Sequence, residues 1–317
     1  MTESGTFTFS NPDGYAAGFG DTRINLTITG SGDFKARLTW LKLPHLEVRR
    51  CRESLPRIAS ISLPPEQIFV SFPVGMASSI SDGFALRNGD FVLHSRSERT
   101  YQRSNGACQW GLISLSPEQF ASCGKALTGR AVGSPRAGRI LRPSRAEVSR
   151  FQRLFAQACR LAEARRKLIE RPEVARALEQ EMLHAIIHCL TANDASDNPK
   201  TMRHHGAVMV RFEEAIDKRI DQKLNMPALC AEIGVPERTL RMCCAEFLGV
   251  SPMRYLLLRR LNKVRWALRR ADASMASVAE IARSCQFLEL GRFAVTYRTI
   301  FGELPSTTLQ RDPQTSL

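Results

Sequence analysis

The feature that most limits how this chain can fold is a self-similarity in its last hundred residues. Leu229-Cys230, Ile233, Gly234 and Val235 recur as Ile281-Ala282, Cys285, Gln286 and Phe287 at an offset of 52. At an offset of 53, Leu240 recurs as Phe293, Cys244 as Tyr297, and Leu248-Gly249 with Pro252 as Phe301-Gly302 with Pro305. Each copy reads as a short helix, a tight turn and a second helix ending at Gly, the plan of a helix-turn-helix. The first copy spans about 226–248 and the second about 277–301.

Each residue type suits its place in that plan. Cys230 and Ala282 are small enough for the second helix to cross closely over the first. Gly234 falls in the turn, where a positive φ is expected. Pro236 or Glu237 opens the following helix, since a first-turn Pro gives up an N–H that has no helical partner. Leu229, Leu240, Ile281, Phe287 and Phe293 are the apolar pegs of the two units. Gly249 and Gly302 stand where left-handed C-caps are expected, and Pro252 and Pro305 then start new helices. Between the copies, Pro252–Arg270 carries Tyr255, Leu258, Leu261, Val264 and Leu268 as one buried stripe. Its other faces hold Arg254, Arg259, Arg260, Lys263, Arg265, Arg269 and Arg270, which read either as phosphate contacts or as a solvated basic face.

Composition agrees with a polyanionic partner. The chain of 317 residues has 45 basic and 31 acidic residues, a net charge of +14, which favours nucleic acid. No apolar run reaches the roughly 18 residues of a membrane span, and no basic n-region leads into an apolar stretch at the start. The nine cysteines contain no C-x-x-C pair, so they read as reduced thiols in a cytoplasmic protein.

The first 120 residues or so read as strand: 24–29, 34–43, 67–72, 90–93 and 109–115, broken by Gly, Pro, Asn and Ser clusters. Asn105-Gly106 is the strongest hairpin signal. From Ser144, which forms a capping box with Glu147, the period becomes helical, and a second helix starts at Pro172. Residues 191–200 (TANDASDNPK) are polar and turn-rich. The expected class is α+β: a β-sandwich or cupin-like domain over 1–143, a helical dimerisation and linker segment over 144–200, and an all-α domain over 201–317 with two tandem helix-turn-helix motifs. The apolar stripe of Phe151, Leu154, Phe155, Leu178 and Met182 is expected either between two subunits or against the chain's own sheet.

The runs LCAEIGVPERTL, LGVSPMRY, RRLNKVRWALRRA, VAEIARSCQF and GRFAVTYRTIFGELP resemble the DNA-binding domain of the AraC/XylS family of transcriptional regulators. The resemblance covers about 208–310, a third of the chain. It implies a seven-helix unit whose two recognition helices enter successive major grooves of promoter DNA, and contact with RNA polymerase. The chain departs from the family at Gln286, where Gly is usual, and at Val295, where a basic or polar residue is common. The runs PMRYLLLRRLN, LGRFAVTYRTIFGELPSTTL and PEVARALEQEMLHAII are similar to the subgroup containing the ethanolamine-utilisation operon regulator.

On the first recognition helix the groove-facing set is Arg238, Thr239, Arg241 and Met242; an arginine fork pairs with the O6/N7 edge of guanine, or meets a phosphate instead. On the second it is Leu290, Gly291, Arg292, Val295 and Arg298. Glu181, His184 and His188 have metal-ligand spacing on one helix but apolar neighbours, so packing is the weightier reading. His94 with Glu98 lacks the second histidine of a metal cupin. Cys243-Cys244 reads as packing rather than a redox pair. No nucleophile elbow, P-loop or dinucleotide fingerprint is present. The function expected is a non-enzymatic, sequence-specific DNA-binding regulator with no cofactor. It is expected to be homodimeric, to respond to a small-molecule effector, and to activate a nearby catabolic or stress operon. The alternatives are a cupin metalloenzyme with a DNA-binding tail and a non-specific architectural DNA binder.

Overall fold

The fold is that of a computed structural model. It describes residues 2–311 except 76–78, 97, 130–132, 134, 136–137, 192–194, 197–199 and 220–224. The first part runs β1 (Glu3–Phe9), α1 (Pro12–Ala17), β2 (Arg23–Ile28), β3 (Ala36–Lys42), β4 (Leu46–Glu53), β5 (Arg57–Ser62), β6 (Ile68–Pro73), β7 (Ser79–Ser81) and β8 (Phe84–Leu86). It continues through β9 (Phe91–Leu93), β10 (Arg99–Ser104), β11 (Cys108–Leu115), α2 (Pro117–Thr128) and β12 (Arg139–Leu141). Two antiparallel sheets form, in the orders β1-β3-β4-β11-β6-β9-β12-β13 and β2-β5-β10-β7-β8, where β13 is Ala195–Ser196. All five expected strands are present. The two helices α1 and α2 interrupt what was expected to be strand alone, each opened by a capping side chain, Asn11 or Ser116, followed by Pro.

The Asn105-Gly106 hairpin does not form. β10 belongs to the second sheet and β11 to the first, so these residues turn a corner between sheets. Neither has the positive φ that a type I′ turn requires.

The register of β3, β4 and β11 defines two faces. Leu38, Cys51 and Trp110 point inward, into a core with Tyr15, Phe19 and Phe34. Leu41, Val48 and Ile113 point outward, beneath α3 (Arg145–Ala164) and α5 (Pro172–Thr191), with the short α4 (Arg166–Ile169) between those helices. Gly111 admits the close approach: a Cβ there would lie 2.3 Å from the Phe72 ring. Inside this core, Glu53 accepts from Tyr15 Oη (2.8 Å), Trp110 Nε1 (2.8 Å) and Arg57 Nε (2.7 Å). Burial opposes the Glu53 charge, but Arg57 and these donors outweigh it and hold the carboxyl below its usual pKa.

The Ser144/Glu147 capping box closes as expected. The stripe Phe151, Phe155, Leu178 and Met182 is buried against the chain's own first sheet, with Leu154 half-buried beside it. Of the two expected arrangements, the stripe thus takes the one against the chain's own sheet.

The remainder is helical: α6 (Lys200–Arg219), α7 (Met226–Ile233), α8 (Glu237–Leu248), α9 (Pro252–Arg270), α10 (Val278–Ser284), α11 (Leu290–Phe301) and α12 (Pro305–Leu309). The expected linker lies partly outside the described residues, at 192–194 and 197–199. The long helix α9 lies against β2, which is an edge strand. Asn262 donates to the Ile28 carbonyl and accepts from the Ile28 N–H, each at 3.0 Å, as a neighbouring strand would.

Candidate nucleic-acid interface

Two helix pairs, α7–α8 and α10–α11, are built alike. Asn225 and Ser277 cap the first helices, accepting from the N–H groups of Ala228 and Ala279. At the turns, Val235 N donates to Cys230 O (3.2 Å) and Phe287 N donates to Ala282 O (3.0 Å). The turn residue between is left-handed in both, Gly234 at φ 73° and Gln286 at φ 66°. Gln286 thus takes a glycine's conformation with a side chain attached. Gly249 and Gly302 end α8 and α11 at φ 72° and 75°, and Pro252 and Pro305 open α9 and α12.

The pegs hold the second helices down. Leu229, Leu240 and Ala282 are fully buried, Phe293 and Phe287 nearly so, and Cys230 and Ile281 half-buried. Cys243 and Cys244 face inward with free, buried thiols, and burial pushes that of Cys243 up to about 11, so neither is a reactive thiolate.

On the opposite side of α8, Arg238, Arg241 and Met242 are exposed and Thr239 is half-buried. On α11, Gly291, Arg292, Val295 and Arg298 are exposed, with Val295 at 68%. Leu290 departs from the expected outward set: it is half-buried and packs on the core behind the helix. Each exposed arginine row has an acidic neighbour one turn back that sequence reasoning passed over. Glu237 holds Arg241 at 2.6 Å and Glu289 holds Arg292 at 3.1 Å. The E-x-x-x-R and E-x-x-R spacings carry that signal.

The basic face of α9 is corrected in part. Arg259 is bound to Glu213 (2.6 Å) and Asp217 (3.1 Å), and Arg265 to Glu303 (3.0 Å) and the Gly32 carbonyl (3.1 Å). Arg269 donates to the Ser10 carbonyl. These three act as internal ties. Arg270 is exposed and stacks over Trp266.

The other sequence candidates resolve as structure. His184 and His188 approach at 3.2 Å, and burial beside His188 lowers the His184 pKa, while Glu181 turns to Arg150 at 2.9 Å. His94 is buried, bonded to Ser71 at 2.8 Å and 3.5 Å from Glu98. Among the described residues no group of three His, Cys, Asp or Glu could hold a metal, and no helix is long and apolar enough to cross a membrane.

Two capped helix pairs with buried pegs and outward arginines define a helix-turn-helix DNA-binding unit, and residues 229–311 match the helix-turn-helix domain family. This C-terminal third is similar to operon transcriptional regulators. It is 34% identical over 101 residues to the XylDLEGF operon transcriptional activator of Pseudomonas putida, covering 32% of each chain. It is 37% identical over 98 residues to the probable thc operon regulatory protein of Rhodococcus erythropolis, covering 31% of this chain and 30% of that one. A solved structure of a probable AraC family transcriptional regulator from Rhodopseudomonas palustris is 35% identical, covering 33% of this chain and 95% of that chain at a TM-score of 0.30. The match thus spans about a third of the length of the curated relatives.

Proposed function

We propose that the whole chain is a sequence-specific DNA-binding transcriptional regulator, an effector-responsive activator of a nearby catabolic or stress operon. The observation that carries this reading is the exposed Arg238–Arg241 face of α8, standing on a helix whose other side is fully packed. Two guanidinium forks one helical turn apart can enter one major groove together. The second unit supports the reading from α11, where Arg292 and Arg298 suit phosphates and Val295 suits a thymine methyl.

In this reading residues 1–143 sense a small molecule, 144–200 connect, and 201–317 bind promoter DNA. The signal travels as a population shift, because α9 is tied to β2 through Asn262 and to the flanking loops at Gly32 and Ser10 through Arg265 and Arg269. Homodimerisation, contact with RNA polymerase, cupin-like character and kinship with the ethanolamine-operon subgroup extend the reading on family resemblance. The relatives named above are operon activators and regulators, which supports regulation rather than catalysis. A metal-dependent cupin finds no support in His94, which is buried with its Nε2 bonded to Ser71 and with no second histidine beside it among the described residues.

Selection of duplexes from a random pool by the full-length protein tests the proposal. A regulator enriches one motif with two contact blocks about one helical turn, or 10 base pairs, apart. An architectural binder enriches none, and that outcome overturns the reading.

A further inference from the structure

On the outer face of the first sheet, beyond the apolar rows under α3, the cross-strand register lines up polar side chains. One row is Thr8, Arg37, Arg52 and Gln109, across β1, β3, β4 and β11. The next row on the same face is Thr6, Thr39, Arg50 and Gly111. Arg37 and Arg52 are thus direct cross-strand partners, and like charges so placed destabilise a sheet. An open cavity of about 1270 Å³ lies at the end of these strands, lined by Thr8, Arg37, Arg52 and Gln109 from this face and by Phe7 and Glu53 from the other.

We propose that this arginine cluster is a binding site for a ligand bearing a phosphate group, seated on the outer face of the first sheet where Arg37 and Arg52 meet the cavity. It deepens the proposed function by giving the effector a place and a chemical class, and it rests on that reading only for its regulatory meaning.

Charge selects the class. Among the described residues, the three guanidiniums of Arg37, Arg50 and Arg52 are met by one carboxylate, Glu163, at 3.8 Å from Arg37. Glu163 also accepts from Thr39 Oγ1 at 2.7 Å. Glu53 lines the cavity too, but its oxygens are already held by Tyr15, Arg57, Trp110 and Cys108. The surplus is two positive charges, and three with Lys35, which also lines the cavity. A phosphate monoester carries about −1.5 to −2 at neutral pH and comes nearest to it, whereas a monocarboxylate leaves half or more unmet.

Hydrogen bonding points the same way. The Nε–H groups of Arg37, Arg50 and Arg52 are buried and meet no acceptor among the described residues. Arg50 reaches only Gln109 Oε1, at 3.3 Å. Burial, with Arg52 alongside, lowers the Arg50 pKa. Arginine's fixed fork of donors suits phosphate oxygens. A phosphate here competes with Glu163 for Arg37, so its arrival acts directly on α3.

Calorimetric titration of the full-length protein tests the site, with phenyl phosphate, inorganic phosphate and benzoate as probes. Both phosphates should bind saturably, phenyl phosphate at least tenfold tighter than benzoate. Their ratio tells an organic phosphate from the free ion as the source. Arg52→Met should weaken phosphate binding at least tenfold, while Arg241→Ala, on the DNA-facing helix, should leave it unchanged. Arg52→Lys, which keeps the charge and loses the fork, gives a several-fold loss and serves if Arg52→Met does not fold. Equal weakening by the Arg52 and Arg241 variants, or benzoate matching phenyl phosphate, overturns the proposal. Duplex binding by the same variants separates the two readings. Specific DNA binding without phosphate binding sinks the site alone, and phosphate binding without DNA specificity sinks the regulator alone.

Discussion

Gln286 and Gly234 occupy equivalent turns with opposite residue choices, so exchanging them makes a paired test of backbone strain. A side chain at φ 66° costs about 1–2 kcal/mol relative to the right-handed region. Glycine relieves this but frees the unfolded chain, at about 0.4–1 kcal/mol. Gln286→Gly should therefore stabilise the protein by about 0.5–1 kcal/mol. Gly234→Gln should destabilise it by a similar amount. A Cβ at Gly234 meets nothing within 4 Å, so conformation alone decides the sign there. Gln286 is exposed, and its side chain makes no hydrogen bond among the described residues that glycine would forfeit. Urea unfolding checks this: the midpoints should move in opposite directions with the slope unchanged. Two shifts of the same sign, or a loss of stability in Gln286→Gly, would refute the reasoning.

Three further outcomes are expected. Glu237→Gln should free Arg241 and raise affinity for duplex DNA about 2- to 5-fold at low salt, the worth of an exposed ion pair, read by fluorescence anisotropy. Burial, reinforced by Glu98, pushes the Asp82 carboxyl up to about 6, against the bonds it accepts from Thr100 and the Tyr101 N–H and the opposing influence of His94. The folded state then holds this proton more tightly than the unfolded one, so its contribution is full below about pH 4 and lost as pH rises through 6. Asp82→Asn should accordingly gain about 1–2 kcal/mol on the native protein between pH 4 and 7 in unfolding titrations, discounted for a carboxyl that is only half-buried; a constant gap contradicts it. Gly111→Ala, forcing a methyl into the Phe72 ring, should cost about 1–3 kcal/mol by thermal unfolding, and an unchanged midpoint would show that the ring yields freely.

The C-terminal units were legible because their constraints are local. Gly249, Gly302 and the prolines punctuate at fixed spacing, and even the exception, Gln286, marks the place where positive φ is needed. The strands β4, β5 and β10 were not read. In β4 the alternation of Leu46 and Val48 is hidden among Arg49, Arg50, Arg52 and Glu53, and Glu53 is buried through Arg57, its partner from the next strand. A buried ion pair looks polar to any periodicity argument. The internal ties of Arg259, Arg265 and Arg269 were likewise out of reach, because Glu213, Glu303, Gly32 and Ser10 come from distant segments. The Arg37–Arg52 row exists only through strand register, which no local pattern states.

The claim that α8 reads sequence is tested most directly by titrating the full-length protein and its Arg241→Ala variant against the selected duplex and a scrambled one at several salt concentrations. The native protein should prefer the selected duplex by roughly 10³-fold or more. Arg241→Ala should lose about 1–3 kcal/mol on the selected duplex and relax preference at one base pair. Arg292→Ala should weaken both duplexes alike and reduce the salt slope by about one unit. Equal affinity of the native protein for both duplexes, or relaxed specificity in Arg292→Ala and not in Arg241→Ala, would contradict the account.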